Sequence, residues 1–317
     1  GTSNFYGVHS VTLYVDSVEV FRSVTDRVLP DENRMINGFT DYEELTRTRR
    51  LIMRSYKLPG NRLRLLHPNE NRGAVTIDEE RDYHFRYVLE DNFGNRRTYQ
   101  FIVKGKRQDI PEYKPEANEM LYWNRTNVIQ KPGMELVVPR YYVYEDVPLR
   151  TDMRGDSSHI AFDYILDAGR TPIHSYCDLS IGLRHMPVAA TTKYYIVQKA
   201  GKWRSSMGGK YANGWIKTRV RSLGTFSVDV DTIAPQITPI GQGGWRTSRN
   251  IRFRIKDMES GIGSYKVYID GKFVLFGLKK GILVIQDPEK VKKGVSHKLE
   301  VTVTDQCGNM TRKEYKF

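Results

Sequence analysis

Residues 7–16 read G-V-H-S-V-T-L-Y-V-D, and residues 261–270 read G-I-G-S-Y-K-V-Y-I-D. Both stretches alternate as half-buried strands do: Val11, Leu13 and Val15 answer to Tyr265, Val267 and Ile269 on one face. Each runs into a tight turn, with Asp270-Gly271 the stronger hairpin signal and Asp16-Ser17 the weaker. The likeness continues downstream. Phe85, Tyr87 and Leu89 match Leu299, Val301 and Val303, and Phe101 matches Tyr315. Between these strands stand Asp91-Asn-Phe-Gly94-Asn95 and Asp305-Gln-Cys-Gly308-Asn309. Gly and Asn tolerate the positive φ of a tight reversal, and Asp bonds its own backbone at the turn entry. The shared D-x-x-G-N cadence is therefore a folding signal, closing the last two strands of two related β-sandwich modules.

Working outward, 317 residues predict two or three domains rather than one core. Twenty tyrosines favour pleated surfaces over helices. The first copy carries an insertion before its closing strands, which holds the one predicted helix, Asp41 to about Met53, with Thr40/Glu43 or Asp41/Glu44 as a capping box. In the last copy Asp287-Pro288 through Gly294 reads as a single helical turn. The expected division is an immunoglobulin-like sandwich at 1–105, a proline-marked linker at 106–114, a distinct middle β-domain at 115–231 and a second immunoglobulin-like sandwich at 232–317. Asp231-Thr-Ile-Ala-Pro235 is an extended connector, because proline disfavours helix in the residue before it. Two strand-like stretches, 236–240 and 250–256, precede Gly261, whereas only six residues precede Gly7. The first sandwich is thus expected to take its opening strands from upstream of residue 1. The fold class is all-β, in tandem sandwich modules.

The net charge of +13 suits polyanionic surroundings, but the cations are scattered and no helix-turn-helix, zinc finger or RNA-recognition signature accompanies them, so nucleic acid is not expected. No apolar run reaches the ~18 residues of a transmembrane helix. Cys177 and Cys307 are expected as buried free thiols, with one long-range disulfide as the alternative. Among seven histidines no pair has H-x-H spacing, and neither H-E-x-x-H nor C-x-x-C occurs. His159 and Asp163 form an H-x-x-x-D; on a strand they would share a face, though no third ligand is evident. No G-x-S-x-G or phosphate loop is present, and spacing singles out no catalytic residue. Aromatic residues concentrate in the middle domain. Trp203, Tyr211 and Trp215, with Lys202 and Arg204, form a candidate glycan platform, set against the plainer reading of core and cross-strand pairs.

Three strings carry a resemblance: D-E-N-R-M-I-N-G-F-T-D-Y-E at 31–43, K-L-P-G-N-R-L at 57–63 and S-S-M-G-G-K-Y-A-N-G-W-I-K-T-R-V-R-S-L-G-T-F-S-V-D-V-D-T-I-A-P at 205–235. The chain resembles the long C-terminal, non-catalytic region of Bacteroidota lysostaphin-type zinc metallo-endopeptidases, envelope enzymes that cut peptidoglycan. In that family an H-x-x-x-D and an H-x-H hold zinc. The H-x-H is absent here and His159 lies in the accessory part, so no zinc ligand is carried over. The resemblance implies an accessory region that positions or regulates an upstream catalytic domain, where the zinc would sit. It further implies a periplasmic or outer-envelope location, with peptidoglycan or another envelope polymer as partner. The alternative is an envelope glycan-binding or structural β-sandwich protein with no associated enzyme.

Overall fold

The computed structural model describes residues 8–112, 115–156 and 158–317. Gly7 and part of the expected linker, Tyr113 and Lys114, lie outside the described residues. The chain is all-β, in tandem modules.

The opening module is one sheet of five strands. They are β1 (Ser10–Val15), β2 (Val18–Val24), β3 (Leu66–Pro68), β4 (Asp82–Glu90) and β5 (Arg96–Lys104), in the order β3-β2-β1-β4-β5. Asp16 and Ser17 both take positive φ, 48° and 70°, so the weaker turn signal does close a hairpin. The insertion folds over the apolar face of β1 and β2. Leu13 and Phe21 are buried there with Met35, Phe39, Leu58 and Leu63. Its helix α1 (Tyr42–Thr48) starts where Asp41 accepts the Glu44 amide at 3.0 Å. It stops well short of Met53. Arg49 turns left-handed at φ 67°, and the chain doubles back so that Met53 bridges to Thr40. Pairing with the preceding strand-like residue outcompetes further helical turns.

The middle module is a sandwich. Its strands are β6 (Glu119–Leu121), β7 (Asn127–Lys131), β8 (Met134–Val138), β9 (Val147–Arg154), β10 (Asp163–Asp167), β11 (Cys177–Gly182), β12 (Tyr194–Ala200), β13 (Trp203–Ser206), β14 (Lys210–Ala212), β15 (Trp215–Val220) and β16 (Gly224–Val230). One sheet runs β13-β12-β16-β10-β9-β6 and the other β14-β15-β11-β8-β7. Alternate residues of both, among them Leu136, Leu179, Ile196, Ile216 and Phe226, meet in a shared core. Tyr164 reaches across that core to donate its hydroxyl to the Pro132 carbonyl at 2.7 Å, so a buried polar group is satisfied.

The last module is also a two-sheet sandwich, of immunoglobulin-like build. It comprises β17 (Gln236–Ile240), helix α2 (Trp245–Ser248), β18 (Arg252–Lys256), β19 (Ile262–Ile269), β20 (Lys272–Phe273), β21 (Phe276–Lys279), β22 (Ile282–Ile285), β23 (Lys298–Asp305) and β24 (Met310–Lys316). The sheets are β17-β18-β22-β21 and β20-β19-β23-β24. Trp245 fills the space between them and donates its indole N–H to the Ile240 carbonyl at 3.0 Å. Only Pro288–Lys290 forms a short 3-10 turn in the predicted helical stretch. Both cysteines are free and buried, Cys177 in the middle core and Cys307 beside Tyr195 and Val197.

Candidate functional site

The structure separates the residues of the glycan platform. Trp203 sits at the foot of the β12–β13 hairpin and is 80% exposed, at the edge of the six-stranded sheet. Tyr211 and Trp215 belong to β14 and β15 in the opposite sheet, and Trp215 is half-buried opposite Gly182. Among the described residues no ring contact joins the three. Arg204 is tied to Asp229 at 2.6 Å, and Lys202 is exposed in the hairpin turn. On the outer face of the five-stranded sheet an open groove of about 730 Å³ holds Lys210, Lys217 and Arg219, with Gln306 of the last module at its rim. His159 lies in a turn before β10 and pairs with Asp156 at 3.0 Å, while Asp163 is engaged by Lys199. The two do not share a strand face, because the strand begins only at Asp163.

A denser site forms where the first module meets the middle one. Tyr144 leaves its own domain and enters the core of the first, 3% exposed. Its hydroxyl donates to the Arg34 carbonyl at 2.8 Å, and its carbonyl accepts the Gly60 amide at 2.7 Å. Two glycines make the socket. A Cβ on Gly38 would stand 2.7 Å from the ring and one on Gly60 2.9 Å from the Tyr144 oxygen. Asn61, itself buried, ties the socket wall by donating to the Met35 carbonyl at 3.1 Å. His174 backs the tyrosine at 3.1 Å; burial first, then the Arg62 and Arg34 charges, hold its pKa below the ordinary value.

Beside this plug the surface turns cationic and aromatic. Tyr141, at φ 66°, has two guanidinium groups over its ring, Arg62 at 4.7 Å and Arg140 at 4.4 Å from its centroid. Trp123 stands 5.9 Å from the same ring, and next to it Arg125 covers Tyr122 at 3.8 Å. All three arginines are exposed. Among the described residues none of them has a carboxylate partner, whereas Arg64 and Arg81 nearby in the sequence are paired. Stacked guanidinium planes without counter-charges present hydrogen-bond forks to anions and flat faces to rings. In the sequence Tyr141 only opens an aromatic run, Tyr141-Tyr142-Val143-Tyr144. Arg62 comes from a distant segment of another module, and no local spacing announces it.

The opposite junction gathers acids. Carboxylate oxygens of Asp231, Asp257 and Asp305 all lie within 4.8 Å of one another, and Asp231 and Asp305 are buried. An all-oxygen set is the chemistry a hard divalent cation takes. Much of its capacity is already spent: Asp231 accepts from the Ile233 amide, from the Ser260 amide and hydroxyl, and from the Asn309 side chain. Lys193 spans the same joint, donating to the Cys307 carbonyl at 3.1 Å and to Asn309. Burial, and then the neighbouring acids, raise the Asp305 pKa against the lowering pull of Asn309. The junction therefore works as an internal polar lock.

Residues 118–231 match the family model of the Zu5-like domain, which is the middle sandwich. No curated protein matches the chain. Among solved structures it is similar to a Ca2+-stabilised adhesin with which an Antarctic bacterium binds ice, at 10% identity over 99% of this chain and 90% of that one, with a TM-score of 0.19. A 1.5-MDa bacterial ice-binding adhesin follows, at 10% identity over 97% and 84%, with a TM-score of 0.16. The SGBP-B protein of a Bacteroides ovatus mixed-linkage glucan utilization locus, solved with a heptasaccharide, is 13% identical over 97% and 59%, with a TM-score of 0.17. Superpositions at this level carry no argument about a ligand. Among the described residues no helix is long and apolar enough to cross a membrane.

Proposed function

We propose that this chain is a non-catalytic, polymer-binding region of the bacterial cell envelope, and that it engages an anionic envelope glycan, peptidoglycan among the candidates, at the Tyr141 surface. The observation that carries this reading is the Tyr141 ring beneath two exposed arginines, neither of which has a carboxylate partner among the described residues. A guanidinium group stacked on a ring keeps its N–H edge free, and that edge forks onto carboxylates or phosphates. The test is co-sedimentation of the purified chain with isolated sacculi at low and raised salt. The Arg62→Ala/Arg140→Ala double variant is expected to lose retention at least fivefold, and wild-type retention to weaken with salt. Trp203→Ala is expected to bind as wild type does. Equal retention of the double variant would refute the site.

A second reading is that the same region positions a peptidoglycan metallo-endopeptidase domain. It is favoured by where the strings that carry the family resemblance fall. I-N-G-F and L-P-G-N build the Tyr144 socket through Gly38 and Gly60, and D-T-I-A-P begins at the buried Asp231. Residues that lock modules together are what a spacer of fixed geometry needs. On either reading the purified chain is expected to bind no stoichiometric zinc in dialysis followed by metal analysis, and to release no muropeptides from sacculi. Tight zinc together with hydrolysis would overturn both.

A further inference from the structure

Each outer module carries a sheet of the same strand pairing and register. Leu13 pairs with Tyr87 and Val15 with Phe85, as Val267 pairs with Val301 and Ile269 with Leu299. Phe85 then pairs with Phe101 as Leu299 does with Tyr315. In the last module this face is closed by the second sheet. The Tyr315 ring lies 5.4 Å from Phe253 of β18 and 5.9 Å from Trp245. Thr311 and Lys313 donate to the backbone carbonyls of Pro235 and Ile237, the latter at 2.8 Å. Leu299, Val301 and Val303 are fully buried.

In the first module the matching face is only half covered. The insertion closes the β1–β2 side and reaches as far as Tyr87, whose hydroxyl meets Ser55 at 2.7 Å. Beyond that, Tyr99 is 53% and Phe101 47% exposed. Among the described residues the ring neighbours of Phe101 are Phe85 at 5.1 Å and Tyr87 at 6.3 Å, both in its own sheet. Among the described residues no strand equivalent to β17 or β18 packs on it.

We propose that the bare face of β4 and β5 is the docking surface for an antiparallel strand pair, the counterpart of β17 and β18, carried on the polypeptide that leads into β1. The internal repeat names the occupant. The covering pair in the last module stands immediately before β19 and presents Ile237, Phe253 and Ile255 inward, all buried. A pair leading into β1 would set a large apolar side chain on Phe101 as Phe253 sits on Tyr315. Exposed aromatic faces of this kind are otherwise an association hazard.

The test compares the 317-residue chain with the same chain extended by its gene's upstream coding sequence, far enough to hold a counterpart of Gln236–Lys256. The extension is expected to raise Tm by several degrees and to slow hydrogen exchange at the β5 amides. Phe101→Ala is expected to lower Tm by several degrees in the extended chain and to leave the 317-residue chain within a degree, with Tyr99→Ala behaving alike. Upstream sequence without two alternating apolar segments, or equal effects of Phe101→Ala in both chains, would overturn the proposal. So would a dimer of the 317-residue chain that Phe101→Glu dissolves, since the occupant would then be a second copy.

Discussion

Asp91 and Asp305 occupy the same place in the same five-residue turn, and their acidities move in opposite directions. Asp91 is only half-buried; the Asn95 side chain, and then the Phe93 amide, stabilise its charge and lower its pKa. Asp305 is raised from its ordinary value of 3.8, chiefly by burial, with Asp231 and Asp257 adding to the effect. A carboxyl whose folded pKa lies above its unfolded value holds its proton longer in the native state. Stability from that group is then present in acid and is lost as pH rises through the window above 3.8. Asp305→Asn removes the ionisation. The Tm difference between variant and wild type is therefore expected to grow in the variant's favour from about pH 4 toward neutrality, whatever fixed cost follows from giving Asn309 one acceptor fewer. A difference that is flat across the same range would show that the carboxyl ionises freely.

At the scale of elements, the loops that form the Tyr144 socket are where side-chain volume is least tolerated. Gly60→Ala forces a Cβ against the Tyr144 backbone and is expected to cost about 1–3 kcal/mol in urea unfolding. Tyr144→Phe, which removes the hydroxyl's bond to the Arg34 carbonyl and its contact with His174 Nδ1, is expected to cost about 1 kcal/mol. A smaller effect for Gly60→Ala than for Tyr144→Phe would contradict this packing. Strand identity was legible in the sequence because period-two alternation is a local signal: Val267, Ile269, Val301 and Val303 all point inward as read. The turn residues Asp270-Gly271 and Gly308 were legible for the same reason, and each takes the positive φ required. Helix length was not, because Arg49 ends α1 for the sake of a bridge between Thr40 and Met53 that periodicity cannot show. Nor was the Tyr141 surface, since Arg62 joins the adjacent Arg140 on that ring only after two modules dock. The platform around Trp203 read as one patch because its residues are close in sequence, but successive hairpins of a sandwich feed opposite sheets.

Across the whole molecule, the two junctions are built from different materials. The first is an aromatic plug in a glycine-lined socket. The second is a buried polar lattice in which Asn309 bonds the Asp231 carbonyl at 3.0 Å and Tyr195 reaches Glu259 at 3.3 Å. Both attach to the middle sandwich, which thereby sets the spacing between the Tyr141 surface and the last module. A polymer held at one end of such a body is presented at a fixed distance from whatever the other end carries, which is the property the proposed function draws on.

The two sulfhydryl groups give that architecture a built-in reporter. Burial pushes Cys177 up to about 12 and Cys307 up to about 11, so at neutral pH neither exists as a reactive anion while its surroundings stay closed. One sits inside the central sandwich and the other at its seam with the last module. Modification by a chromogenic disulfide reagent would therefore time two separate events, the parting of that seam and the melting of the sandwich, without any label having to be engineered in.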